Sequence, residues 1–321
     1  MNAVTGRVAE ITAPCAFAIR EEVFHPPTPG QVLIKVLSVG VCASDLGLWE
    51  SGPGLGQGPI RLGHEPVGMV WSVGAGIHNL ELYQIVTGRL VPAFADYVYA
   101  DPQDVVPVPS TVAPHTAIGE PLGCIVDAYQ RTCPPVGAIT AVVGLGFMGL
   151  LMTRLLALSP VSAVWGIGRT PHSRATASEA GATQVFTPDD PRLSSAAAEL
   201  VVEATGSQSG LDLASRLATE NAVVSILGYH QARSRSVDMQ AWNWKGLTVT
   251  NAHIRNRHRL ANSTLAAMRL LAADRLDIAP LFTHRYTLER LNDAFKDLRD
   301  KPAGFIKAII DVNAKTLPCQ L

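Results

Sequence analysis

The stretch Val142-Val-Gly-Leu-Gly-Phe-Met-Gly-Leu-Leu-Met152 runs from an apolar strand, through three glycines spaced G-x-G-x-x-G, into an apolar helix. That spacing has a physical reason. Gly144 makes the tight turn, Gly146 lets the backbone approach a pyrophosphate, and Gly149 allows close helix–strand packing. Phe147 and Met148 open the helix, whose first amides face the anion. The segments around the loop agree. From Ala138 onward strands alternate with helices: AITAVVG, FMGLLMTRLLAL, VSAVWGIG, SRATASEAGA, ELVVEATG, LDLASRLAT and AVVSILG. Such alternation implies right-handed crossovers and a parallel, doubly wound sheet, so the fold class is α/β with a Rossmann-type dinucleotide-binding domain.

An NAD-binding unit commonly ends its second strand with Asp or Glu, which bonds the adenosine ribose. Here that strand ends Gly168-Arg169-Thr170, with no carboxylate. A guanidinium in its place suits a 2′-phosphate through paired charge-assisted bonds, and this predicts NADP(H) in preference to NAD(H). Ser173 and Arg174 either extend that phosphate site or merely begin the next helix.

The first 110 residues read differently. They are rich in Gly, Pro and Val, with short apolar runs separated by turn clusters such as HPPTPG and SGPGLGQGP, which predicts an irregular β domain. With 26 basic and 27 acidic side chains in 321 residues, the chain has no electrostatic footprint for nucleic acid or an anionic membrane. A small-molecule substrate fits better. Five unpaired-looking cysteines and an N-terminus without a signal pattern predict a reduced, cytoplasmic protein, with Cys124 and Cys133 as core thiols. No apolar run reaches the roughly 18 residues that span a bilayer.

Four side chains from three separate stretches point to a metal. Cys42 lies in VCASD, His64 and Glu65 in LGHEPVG, and Glu120 in GEPLG. A mixed sulfur, nitrogen and oxygen set of three protein ligands with an open position is the pattern of a catalytic zinc site. Asp45 can orient the imidazole of His64 from behind.

VCASD, LGHEPVG, GEPLG, VVGLGFMG and VVEATG, in that order and spacing, resemble the zinc-dependent alcohol dehydrogenases of the medium-chain dehydrogenase/reductase superfamily, closest to its polyol and sorbitol-type branch. The resemblance implies a GroES-like catalytic domain over residues 1–113 and 285–321, a Rossmann domain over 114–284, and an active site in the cleft. It implies that Cys42 and His64 bind one catalytic zinc and that Glu120 takes the third-ligand position, with Glu65 able to exchange for it. Lys307 matches a basic position that touches the cofactor pyrophosphate, and Thr205 and Gly228 lie in loops lining the nicotinamide half. A homodimer or homotetramer joined edge to edge near LTVTNA is also implied.

Three departures stand out against the resemblance. Residues 66–123 hold no cysteine, so the structural-zinc lobe of many relatives is missing. Tyr83-Gln84-Ile85-Val86 replaces the family's Gly-Asp-Arg-Val. Gly47 stands where a proton-relaying histidine is common, while Ser44 remains to take the first proton. The expected chemistry is hydride transfer between NADP(H) and an alcohol or carbonyl of sugar, cyclitol, polyol or specialised-metabolite type. A zinc-bearing reductase of a conjugated C=C or iminium, and a catalytically silent nucleotide-binding protein, are the alternatives. Trp49, Phe94 and Leu122 are either pocket residues or ordinary core, and His253 and Arg255 either reach the substrate or belong to a surface or interface.

Overall fold

The computed structural model describes residues 2–231 and 234–313; Cys319 and the end of the final segment lie outside the described residues. Contacts divide the chain into two compact units, one of residues 1–123 and 256–321, the other of residues 124–255.

The first unit is built mainly on antiparallel pairing, with one parallel pair at the edge of its larger sheet. Strands β1 (Val4–Ala13) and β2 (Ala16–Phe24) form a hairpin. Next come β3 (Val32–Gly40), the short helix α1 (Leu46–Ser51), β4 (Glu65–Val73), β5 (Ile85–Thr87), β6 (Tyr97–Ala100) and β7 (Val106–Pro107). Helix α2 (Gly119–Thr132) starts in this unit and crosses the boundary.

The second unit holds β8 (Ile139–Val143), α3 (Phe147–Ala157), β9 (Ala163–Ile167), α4 (Pro171–Glu179) and β10 (Gln184–Phe186). It continues with β11 (Ala198–Glu203), α5 (Gln208–Leu217), β12 (Ala218–Ile226), α6 (Met239–Lys245) and β13 (Thr248–Asn251). The chain then returns to the first unit with α7 (Arg257–Ala272), β14 (Phe282–Thr287), α8 (Leu291–Asp300) and β15 (Lys307–Asp311).

In the first unit the sheet order is β14-β15-β3-β4-β5-β7, with β6 also on β3. The central strand β3 carries no side chain more than part-exposed, as its near-continuous apolar run Val32-Leu-Ile-Lys-Val-Leu-Ser-Val predicts. Below it Phe295 meets Phe17, Trp49 and Phe94 at ring separations of 5.0, 5.5 and 5.9 Å. Trp49 and Phe94 are 0% and 1% exposed, and Leu122 is 0%. All three candidate pocket residues are therefore core, the second of the two readings open to them. Arg7 clasps the unit's end by donating from Nη2 to Asp96 (2.7 Å) and to the carbonyl of Val312 (3.1 Å).

The second unit is a six-stranded sheet, parallel throughout, in the order β10-β9-β8-β11-β12-β13. This is the doubly wound order expected from the alternation, and it reverses between β8 and β11. Its core is Ala141, Val143, Ile167, Val201 and Val224 from the strands against Leu213, Ala214 and Leu217 of α5.

The division differs from the expected one at both boundaries. Residues 114–123 and 256–284 pack with the catalytic unit. Helix α7 explains the second shift: Arg257 pairs with Asp101 and Asp104 at 2.9 Å each, and Thr264 donates to the carbonyl of Gly119. Amphipathic helices look alike in sequence whichever sheet they cover. Among the described residues no helix is long and apolar enough to cross a membrane.

Candidate active site

Strand β3 ends at Gly40, and Val41 is tied to the carbonyl of Ala308. Cys42 then caps one 3-10 turn, Ala43–Asp45, closed by the amide of Asp45 donating to the Cys42 carbonyl at 3.1 Å. That turn fixes three side chains. Ser44 Oγ donates to Cys42 Sγ at 3.3 Å, and Asp45 turns inward to 7% exposure. From the neighbouring strand, Gly63 at φ +92° folds the chain tightly against Phe94, whose amide nitrogen would lie 2.7 Å from any Cβ there. His64 and Glu65 follow this bend, and Glu65 is the first residue of β4, in register with Gly40.

Ligand atoms of Cys42, His64 and Glu65 lie within 4.8 Å of one another, the one such group of three among the described residues. A thiol, an imidazole and a carboxylate converging from two strand ends fit a zinc ion by donor type. Asp45 Oδ2 stands 3.4 Å from His64 Nδ1, as expected for a carboxylate that orients a ligating imidazole. Burial disfavours a charged His64, but hydrogen bonds to Asp45 and Cys42 and the charges of Glu65 and Cys42 outweigh it and push its pKa up to about 11. A cation entering this set must displace a proton.

Glu65 is 1% exposed and has Lys307 Nζ 2.6 Å from its Oε2. Burial opposes the charge on Lys307, yet the carboxylate of Glu65, the Cys42 sulfur and the charge of Glu120 raise its pKa. Lys307, 5% exposed, has its ammonium paired with Glu65 inside the catalytic unit. Space for this pair comes from Gly40, where a Cβ would sit 2.1 Å from Glu65 Oε2. Nothing in the sequence marked Gly40, because its role is set by a neighbouring strand. Glu120, in the first turn of α2, is half-buried and outside the grouped donors, so the structure brings Glu65 rather than Glu120 to the thiol and imidazole.

In the other unit the glycine loop has the form its spacing predicts. Gly144 adopts φ +103°, a conformation that side chains disfavour. Gly146 caps α3 and a Cβ on it would meet nothing within 4 Å, so the loop presents bare backbone there. A Cβ on Gly149 would lie 1.8 Å from the Gly144 carbonyl oxygen. Phe147 is buried and Met148 half-buried at the helix start.

At the end of β9, Gly168 abuts Leu145 and Ser173, and Thr170 caps α4 by accepting from the Ser173 amide. Arg174 Nη1 donates to the carbonyls of Gly168 and Arg169, both at 2.9 Å. That group therefore braces the turn through Nη1. Arg169 is exposed, and its guanidinium has no ion pair or hydrogen bond among the described residues. It lines a surface cavity of about 470 Å³ with Thr187, Asp189, Ser209, Asp212 and Arg216. Thr205 is exposed on the loop after β11, and Gly228 is buried on the loop after β12. His253 bonds through Nε2 to the Gly228 carbonyl at 3.2 Å and Arg255 is exposed. Cys133 is exposed and Cys124 half-buried, so neither is a core thiol.

Residues 28–110 match the family description "Alcohol dehydrogenase GroES-like domain". Sorbitol dehydrogenase of Gallus gallus is 27% identical over 314 residues, covering 84% of this chain and 86% of that one. L-threonine 3-dehydrogenase of Pyrococcus furiosus is 27% identical over 321 residues, covering 87% and 90%. Among solved structures, a zinc-binding dehydrogenase of Sinorhizobium meliloti bound to NADP superposes with a TM-score of 0.85 at 22% identity, covering 96% of this chain and 99% of that one, a likeness of fold. GroES-like unit, Rossmann-type sheet and grouped donors together define a nicotinamide-linked dehydrogenase with a metal-binding catalytic unit. Residues 28–110 match the GroES-like domain of alcohol dehydrogenases, and the chain as a whole is similar to the medium-chain zinc alcohol dehydrogenases.

Proposed function

We propose that this enzyme interconverts a small polar alcohol and its carbonyl with NADP(H), using Cys42, His64 and Glu65 to hold zinc. The observation that carries the reading is the convergence of those three donors within 4.8 Å. Names of the relatives, sorbitol and L-threonine dehydrogenases, support a hydroxyl-rich or amino-alcohol substrate. Zinc measured per chain, with NADPH oxidation followed against a panel of sugar, polyol-derived and hydroxy-ketone carbonyls, tests it. A metal-free protein with no turnover on any carbonyl would overturn it.

Bound zinc supplies Lewis acidity to a substrate oxygen, and the dinucleotide supplies or accepts the hydride. The chain's own groups do the rest. Asp45, with Oδ2 3.4 Å from Nδ1, would steady the His64 ring as a ligand. Lys307 pairs with Glu65 in a buried place where an unpaired carboxylate would be costly. Ser44, beside Cys42, hydrogen-bonds the substrate oxygen and carries its proton outward. With Gly47 exposed and nothing within 4 Å of where a side chain would start, water takes the proton onward from Ser44.

The NADP(H) preference is supported by the unpaired guanidinium of Arg169 at the end of β9 and by the missing carboxylate there. Arg169→Ala is expected to raise the KM for NADPH roughly tenfold or more, the worth of a lost charge-assisted pair, and to leave that for NADH within about twofold. Equal effects on both cofactors in steady-state assays would sink the preference.

The same proposal includes a homodimer, or a tetramer built from it. Strand β13 is the edge of the parallel sheet, with Val249 39% exposed on it and Trp244 86% exposed just before it. An open edge beside exposed apolar side chains suits pairing with a second copy. Light scattering should give at least twice the 34.1 kDa chain mass. A cytoplasmic setting belongs to this reading too, supported by four described cysteines that are all free thiols.

A further inference from the structure

The parallel sheet reverses its order between β8 and β11, and ligands of such sheets lie in the crevice at the carboxyl ends of the strands on either side. The glycine loop fills the β8 end. Beside it is the loop after β11, residues 204–207: a Cβ on Gly144 would meet Thr205 Cγ2 at 2.7 Å. The loop after β12, residues 227–230, is packed on that one, since a Cβ on Gly228 would lie 2.3 Å from the Gly206 nitrogen. With the adenosine end at β9, these two loops are the surface left for the nicotinamide half.

One buried carboxylate organises both loops. Glu203, the last residue of β11, is 0% exposed. Its Oε1 accepts from the amides of Thr205 (2.7 Å) and Gly206 (3.0 Å) and from the Thr205 hydroxyl. Its Oε2 accepts from His230 Nε2 at 2.9 Å. On the far side of the ring, Arg235 Nε donates to His230 Nδ1 at 3.1 Å, and Arg235 Nη2 donates to the Gly206 carbonyl at 2.8 Å. Arginine has no acceptor, so Nδ1 must accept and the ring proton sits on Nε2, pointing at Glu203. The circuit therefore closes: Glu203 to His230, His230 to Arg235, Arg235 to Gly206, Gly206 back to Glu203.

We infer that Glu203, His230 and Arg235 are positioning residues that lock the loops after β11 and β12 into the shape the nicotinamide ring requires. This rests on the dinucleotide reading above. Sequence reasoning quoted Thr205 from this motif and passed over Glu203, His230 and Arg235, because a buried glutamate and a loop histidine signal nothing until the fold closes them on one another. A buried carboxylate is tolerable only when fully bonded, and these bonds all go to the two loops and none to the sheet core.

Binding of NADPH, NADH and their adenosine-side fragments 2′,5′-ADP and ADP-ribose to the full-length protein tests this, measured by calorimetry for wild type, His230→Leu and His230→Gln. In His230→Leu the whole dinucleotides should bind roughly tenfold more weakly, the effect of one lost network connection, with fragment binding unchanged even as the melting temperature falls. An amide keeps one donor and one acceptor, so His230→Gln should recover most of the loss. Arg235→Gln is the second variant, expected to show the same split between dinucleotide and fragment. Unchanged dinucleotide binding in His230→Leu, or an equal loss for dinucleotide and fragment, overturns the inference. A wild-type protein that binds neither fragment nor dinucleotide overturns the cofactor reading itself.

Discussion

Cys42→Ser is expected to leave a folded protein that has lost its zinc and at least about a thousandfold of its turnover, since a Lewis acid contributes several kcal/mol and each 1.36 kcal/mol is roughly tenfold in rate. The substitution changes one atom at a half-buried position on a short turn, so packing is nearly preserved. What disappears is the soft anionic donor. A serine hydroxyl stays protonated at neutral pH and is a poor zinc ligand, whereas a thiolate is among the best. The remaining donors cannot compensate. His64 is held toward its protonated form by its anionic neighbours, and Glu65 has the ammonium of Lys307 2.6 Å away. Zinc content by mass spectrometry, melting temperature and NADPH-linked turnover would be measured together. Full activity in a metal-free variant would remove the metal from the mechanism; lost activity with lost folding would show that Cys42 acts as a structural thiol.

How much of this could be read from the chain depends on whether the determinant is local. The parallel sheet was legible because periodicity and the glycine loop are local signals: β8, Gly144, Gly146, Gly149 and α3 fall where the spacing puts them. The thiol, imidazole and Asp45 were legible for a related reason, since Cys42 to Asp45 form one turn and His64 and Glu65 are adjacent. Pairing across strands was not. Lys307 belongs to β15, Gly40 to β3 and Glu65 to β4, and only the register that sets β3 between the other two shows that the glycine makes room for an ion pair. Arg174 was ambiguous for a different reason. A cation after a strand can face a ligand or its own turn, and here two carbonyls captured it. Trp49 and Phe94 illustrate the same limit: a large aromatic residue near a predicted site has the composition of a pocket wall and of a core alike, and burial alone decided.

Gly149→Ala and Gly146→Ala should separate the two jobs of the glycine loop, one destroying the loop and the other only its ligand. At Gly149 the added methyl would lie 1.8 Å from the Gly144 carbonyl oxygen and 3.0 Å from its carbon. That obstacle is backbone, so no rotamer change relieves it. Helix α3 would have to move off the loop, yet Leu150, Leu151 and Met152 are all 0% exposed and fix it against the sheet. Overpacking of this kind costs about 1–3 kcal/mol or more, so the melting temperature should fall by several degrees, and dinucleotide binding should be lost with the loop. At Gly146 the same methyl meets nothing within 4 Å, and the backbone there, at φ −82° and ψ −172°, is one alanine adopts freely. The Gly146→Ala protein should therefore melt as wild type does, while its affinity for NADPH drops at least tenfold, because the methyl occupies the place where bare backbone meets the pyrophosphate. Calorimetry on both variants, with thermal melts alongside, distinguishes the two. If Gly146→Ala binds NADPH as tightly as wild type, the pyrophosphate does not rest on this loop, and the dinucleotide must be sought elsewhere on the sheet.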